Sequence, residues 1–174
     1  DELTQKGFTV IVDRKGLDID QSSDLYKKMR VYEQLKQPKF SENCIDGYAG
    51  DHACEKMDLL AHLPLSSFST DPSAANDIWG FYDLNDGREY AIIGLRNGIG
   101  IVDVTEPESP RVVNTVSSQS TAWRDIKVYQ SFNRSEARWQ SYAYVTADSA
   151  SVGTLVIDLG SLPDSAEIAG SDSR

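Results

Sequence analysis

A duplicated run of short apolar segments between residues 76 and 159 constrains this 174-residue chain more than any other feature. The first copy contains Asp77-Ile78-Trp79-Gly80-Phe81-Tyr82-Asp83, then Glu89-Tyr90-Ala91-Ile92-Ile93-Gly94-Leu95, then Gly98-Ile99-Gly100-Ile101-Val102-Asp103-Val104. The second contains Trp123-Arg124-Asp125-Ile126-Lys127-Val128-Tyr129, then Ser141-Tyr142-Ala143-Tyr144-Val145-Thr146, then Gly153-Thr154-Leu155-Val156-Ile157-Asp158-Leu159. Tyr90-Ala91 returns as Tyr142-Ala143, Asp77 as Asp125 and Asp103 as Asp158, with insertions around Ser131–Gln140, expected to be a loop that carries Trp139, and around Ala147–Val152. Segments this short, rich in β-branched and aromatic residues and bounded by Gly, Asn and Asp, read as strands. Arg111–Val116 supplies a fourth strand to the first copy, and Asp83–Gly87 is a hairpin turn.

Four antiparallel strands in roughly 45–50 residues have the size of a β-propeller blade. The expected fold is mainly β: a partial β-propeller with two recognisable four-stranded blades, at about 76–118 and 121–168. Two blades cannot close a ring that takes about four to eight, and an open pair exposes sheet edges. Further blades are therefore expected from the same polypeptide or from other chains.

Outside this block the chain changes character. Residues 1–40 hold 7 acids and 8 bases and the remainder 20 and 9, a net charge of −10. That balance argues against a general binder of nucleic-acid phosphates, and no stretch is long and apolar enough for a membrane-spanning helix. Phe8–Val12 reads as a strand; Leu25, Met29, Tyr32 and Leu35 share one helical face over about 24–36, ahead of Pro38. Residues 1–40 are thus expected to be a strand–helix extension whose amphipathic helix offers a docking face. Residues 41–75 are expected to be a loop region with a helical turn or two at Met57–Leu63, and residues 169–174 a polar tail.

Cys44 and Cys54 are the two cysteines, and their spacing favours a disulfide that pins the loop region. Zinc would need further ligands, and His52 and His62 are the chain's two histidines. A disulfide points to an oxidising, secreted or extracytoplasmic setting. A start at Asp1 without an initiator Met fits a processed secreted protein or a fragment. Asn133-Arg134-Ser135 is a glycosylation sequon.

Asn76-Asp77-Ile78-Trp79-Gly80, Arg88-Glu89-Tyr90-Ala91, Val102-Asp103-Val104 with Pro107 and Pro110, and Trp123-Arg124-Asp125-Ile126-Lys127-Val128 resemble the start of the LVIVD-repeat, choice-of-anchor B proteins. The segment from Cys44 through Gly47-Tyr48-Ala49 and Cys54 to Asp58–Leu65 is similar to the stretch before their repeats. The resemblance covers about residues 44–162 and leaves 1–40 outside. It implies a secreted or surface-anchored β-propeller that continues through further repeats, and it brings no active site to carry over.

The chemistry-bearing residues are few. Neither histidine sits in a nucleophile–base pattern, and there is no G-x-S-x-G elbow. Asp83, Asn85, Asp86 and Glu89 are clustered oxygen donors and a weak calcium candidate, the one cofactor suggested, though they do not follow the spacing of a calcium loop. Asp77, Asp125, Asp103 and Asp158 are expected to form side-chain-to-backbone bonds at strand links. Arg124 is expected to pair with a carboxylate, and Trp79 and Trp123 to wedge between blades. The favoured reading is a non-enzymatic extracellular or surface scaffold whose partners are other protein chains or further blades. The alternatives are a propeller-type hydrolase or lyase domain, and a carbohydrate- or cell-surface-binding module using Tyr48, Phe81, Tyr82 and Trp139.

Overall fold

The computed structural model of the protein describes residues 36–148 and 151–173. The strand expected at Phe8–Val12 and nearly all of the helix expected over 24–36 lie outside the described residues. Cys44 and Cys54 are joined in a disulfide around the small hairpin of β1 (Tyr48–Ala49) and β2 (His52–Ala53). The chain then returns antiparallel along its own path through bridges Lys39–His62 and Glu42–Leu59. Met57–Leu63 is therefore extended and not helical. Seven residues are too few to hold a helix unaided, and the main chain of Leu59 and His62 is bonded to Glu42 and Lys39 instead. A 3-10 turn at Leu65–Ser67 completes the approach to the repeats.

The repeats form two four-stranded antiparallel sheets. The first is β3 (Ala75–Tyr82), β4 (Glu89–Leu95), β5 (Gly98–Asp103) and β6 (Arg111–Ser117), paired in chain order. The second is β7 (Arg124–Asn133), β8 (Arg138–Ala147), β9 (Val152–Asp158) and β10 (Glu167–Ser173), paired in the same way. The duplication visible in sequence is a duplication of register. Gly80 faces Ala91 as Val128 faces Ala143, and Ala91 faces Val102 as Ala143 faces Ile157. Tyr90 faces Asp103 as Tyr142 faces Asp158. The fourth strands also match: Asp103 pairs with Arg111 and Asp158 with Glu167, and a bulge then sets aside Val113 in β6 and Ala169 in β10.

Two expectations are corrected here. Residues 169–173 are the second half of an edge strand, not a tail. Ala-Gly-Ser-Asp-Ser has little β-propensity of its own, so backbone pairing to β9 makes the strand. Gly153 permits the close approach, because a Cβ there would lie 1.7 Å from the Asp172 carbonyl oxygen. The insertion around Ser131–Gln140 is likewise no loop. It lengthens the β7–β8 hairpin through the pairs Ser131–Gln140, Phe132–Trp139 and Asn133–Arg138, which puts Trp139 in a strand.

Candidate functional site

Alternation along a strand sends neighbouring side chains to opposite faces. Tyr90 and Ile92 of β4 and Ile99 and Ile101 of β5 form one face of the first sheet, and pack in a single core with Ile126, Ala143, Val145, Leu155 and Ile157 of the second. By register, Ile126 corresponds to Ile78, Ala143 to Ala91, Val145 to Ile93 and Ile157 to Val102. Those counterparts lie on the other face of the first sheet. The sheets therefore stack head to tail, with unlike faces in contact.

Head-to-tail stacking leaves two unlike faces at the ends. On the first sheet, Phe68 buries Leu95 and Val102, with Leu63, Ala91, Ile93 and Val112 half-buried against them, while Ile78 on the same face stays 60% exposed. On the second, the counterparts of Phe81, Tyr90, Ile92 and Ile101 are Tyr129, Tyr142, Tyr144 and Val156. Tyr129 is 60% and Tyr144 40% exposed, whereas Tyr90 is 1% and Ile92 0% exposed.

The seam between the sheets is also hydrogen-bonded. Asp77 Oδ2 accepts from the Ile126 N–H at 2.7 Å, and Asn76 Nδ2 donates to the Ala122 carbonyl at 2.7 Å. Gln130 Nε2 donates to the Tyr82 carbonyl at 2.7 Å while its Oε1 accepts from the Leu84 N–H at 3.3 Å. Asp125, the counterpart of Asp77, is exposed and receives Lys127 Nζ of its own strand at 2.6 Å, which holds its carboxyl below the ordinary range. Arg124 is buried, but it does not pair with a carboxylate among the described residues. Its Nε donates to the Leu95 carbonyl at 2.9 Å and its Nη2 to the Gln119 carbonyl. Burial pushes its guanidinium below the ordinary value. These carbonyls belong to the last residue of β4 and to the segment that follows β6, and only a planar fork reaches both. Trp79 lies under Lys127 Nζ, 4.5 Å from the ring centre. Trp123 does not wedge between sheets: it is 65% exposed, because it lies just before β7 begins.

Asp103 closes the rim of the first sheet. Its Oδ1 accepts from the Thr105 N–H at 3.0 Å, and its Oδ2 from Arg88 Nη1 at 2.7 Å and Arg111 Nη2 at 3.2 Å. Burial alone would raise its carboxyl, but the bonds from Thr105, Arg111 and Arg88 outweigh that and hold it below the ordinary range. A cavity of about 460 Å³ opens beside these groups, lined also by Asp86, Glu106 and Ser109. Asp158 accepts from the Gly160 N–H at 2.8 Å and borders a smaller cavity of about 110 Å³ with Arg138 and Tyr142. The Tyr90 hydroxyl is buried with no hydrogen-bond partner among the described residues. Burial, with the carboxylates of Asp86 and Asp103 adding, pushes it up to about 12.

The calcium candidates do not converge. Asp83 is buried and its Oδ1 accepts from the N–H and Nδ2 of Asn85 at 2.8 and 3.0 Å. Asp86 Oδ1 accepts from the Arg88 N–H at 2.9 Å, while Asn85 reaches across to Trp139 and Glu89 is exposed on β4. Among the described residues no three His, Cys, Asp or Glu side chains could hold a metal ion. The turn consumes the oxygens on its own donors. His52 and His62 lie with ring centres 5.8 Å apart, beside the disulfide hairpin. Asn133 Oδ1 accepts from the Ser135 N–H at 3.0 Å and hydroxyl at 2.6 Å in the β7–β8 turn. Tyr48, Phe81, Tyr82 and Trp139 do not share a platform: Phe81 and Tyr82 point to opposite faces of β3, Phe81 is buried, and Trp139 packs edge-on to Phe132. The sequence reading missed Phe68, Asn85 and Gln130 as residues that join elements. The available signal for Phe68 was Gly100, a glycine inside an otherwise β-branched strand.

No family model, no curated protein and no solved structure matches this chain.

Proposed function

We propose that the two sheets are successive blades of a β-propeller-like array, and that the protein is a non-enzymatic, extracytoplasmic scaffold which assembles by adding further sheets. The head-to-tail stacking carries this reading. A heterologous contact leaves one unlike face open at each end until enough units close a ring, so the operation that places the second sheet on the first leaves a Tyr129, Tyr142, Tyr144 and Val156 face able to receive another sheet. The Cys44–Cys54 disulfide favours an oxidising compartment, and the repeat motifs resemble those of the LVIVD-repeat proteins. The site residues supply a seam and a rim, not a nucleophile with its base.

The test adds a third repeat. Residues 118–173 are appended again after residue 173 of the full chain, with Phe in the added copy at the positions of Tyr129, Tyr142 and Tyr144, so that only the original tyrosines report. Hydroxyl-radical footprinting should find the original Tyr129 and Tyr144 protected several-fold relative to the natural chain. Unchanged labelling of both tyrosines would refute the blade reading.

A further inference from the structure

The covered end of the stack is built differently from the open one. Where Leu155 of the second sheet reaches into the inter-sheet core, the register places Gly100 in the first. The space above Gly100 holds the Phe68 ring: a Cβ on residue 100 would lie 2.3 Å from it. Phe68 is 5% exposed, and Leu63 packs on the same cluster. Beyond Phe68 the segment is tied to the β4–β5 turn, by Asn97 Nδ2 donating to the Thr70 carbonyl at 2.6 Å and the Arg96 N–H donating to the Ala74 carbonyl at 2.9 Å. The first sheet therefore gives up an outward side chain and accepts one from the preceding segment.

We propose that Leu63–Phe68 is an end cap, which keeps a second copy of this chain from stacking its Tyr129, Tyr142 and Tyr144 face on the first sheet. The proposal rests on the head-to-tail reading above. The face that the cap partly covers carries Ala91, Ile93 and Val102, the counterparts of residues that already meet Tyr90 and Ile92, so a second copy brings its Tyr142 and Tyr144 to the equivalent place. Repeat arrays need their terminal units capped to stay soluble. A cap on one end confines growth to the other.

The experiment compares the natural chain with two uncapped variants by sedimentation velocity over a hundred-fold concentration range, in salt sufficient to screen the acidic surface. Phe68→Ala removes the cap's ring. Gly100→Leu fills the ring's seat with the side chain that the second repeat carries, displacing the cap without emptying the core. The natural chain should sediment at one mass throughout. Both variants should associate to at least twice the mass, and Tyr144→Lys added to either should restore the single-chain mass. Variants that stay single with their far-UV strand signal intact overturn the cap. Association that persists with Tyr144→Lys shows unspecific exposure and overturns it too. Loss of strand signal in both variants would make the segment ordinary core and also end the proposal. If the appended third repeat docks while uncapped chains stay single, stacking stands and the cap alone falls. If the third repeat does not dock, the stacking reading fails first.

Discussion

Asn85 pairs with the main chain of Trp139 as a neighbouring strand would: its Oδ1 accepts from the Trp139 N–H at 2.9 Å and its Nδ2 donates to the Trp139 carbonyl at 3.1 Å. The pair ties the first sheet's hairpin turn to the extended end of β8. Both bonds bridge the two sheets, so they should contribute to sheet docking more than to either sheet alone. Asn85→Ala should lower the unfolding free energy by about 1–2 kcal/mol, read from urea denaturation. Asn85→Asp keeps the acceptor but cannot donate to the carbonyl and should cost at least as much. A neutral Asn85→Ala would show that the clamp is not needed for docking.

Arg124 tests how a buried guanidinium is tolerated without an opposing carboxylate. Its donors serve Leu95 and Gln119 carbonyls, while burial penalises its charge. Arg124→Lys retains the charge but replaces the fork with a compact, more strongly hydrated ammonium, and should cost about 2–3 kcal/mol. Arg124→Met removes the desolvated charge and keeps much of the packing, so it should be the milder change. Thermal unfolding at neutral pH checks the ordering. Lysine better tolerated than methionine would show that charge, not fork geometry, matters here.

Asp103 should make the fold acid-sensitive. Its carboxyl is held below the ordinary aspartate value of about 4 in the folded state. The folded protein therefore binds that proton less readily than the unfolded chain. The stabilisation is complete above the unfolded value and is lost as pH falls below about 4, through the folded one. Asp103→Asn should reduce stability at pH 7 and flatten the acid limb of a stability–pH profile. An acid limb unchanged by the substitution would remove Asp103 from this role.

Tyr90 should do the opposite at the alkaline end. Its hydroxyl ionises at about 12 in the folded state, against about 10 in the unfolded chain. Stability is unaffected below pH 10 and declines as pH rises between these values, where the unfolded chain loses the proton first. Because the hydroxyl is buried and unpartnered, Tyr90→Phe should be neutral or stabilising by about 1 kcal/mol at pH 7. It should also weaken the alkaline decline. A loss of more than about 1 kcal/mol would mean that the hydroxyl is bonded in solution.

The repeats were legible because strand formation here is local: alternation, β-branching and turn residues recur in both copies, and the Cys44–Cys54 spacing pointed to the disulfide. The β10 strand was not legible, since Ala169–Ser173 become strand through pairing to β9. The extension of β7 and β8 was hidden for the same reason, as was the extended course of Met57–Leu63. Arg124 could not be read from its neighbours in sequence, because the Leu95 carbonyl reaches it from the end of β4 in the other sheet.

What the sequence determined by itself was the unit: three short strands, twice, with a fourth placed in the first copy, and equivalent residues at equivalent places. What the tertiary structure alone decided was which face of each unit is buried. Tyr90 and Tyr142 are the same residue in the same register, opposite Asp103 and Asp158. Tyr90 is 1% exposed and Tyr142 only half-buried, because a second sheet lies on the first one's face and, among the described residues, none lies on the second's. Alternation sorts side chains between two faces, but burial depends on what comes to lie against each face, and that comes from residues far along the chain.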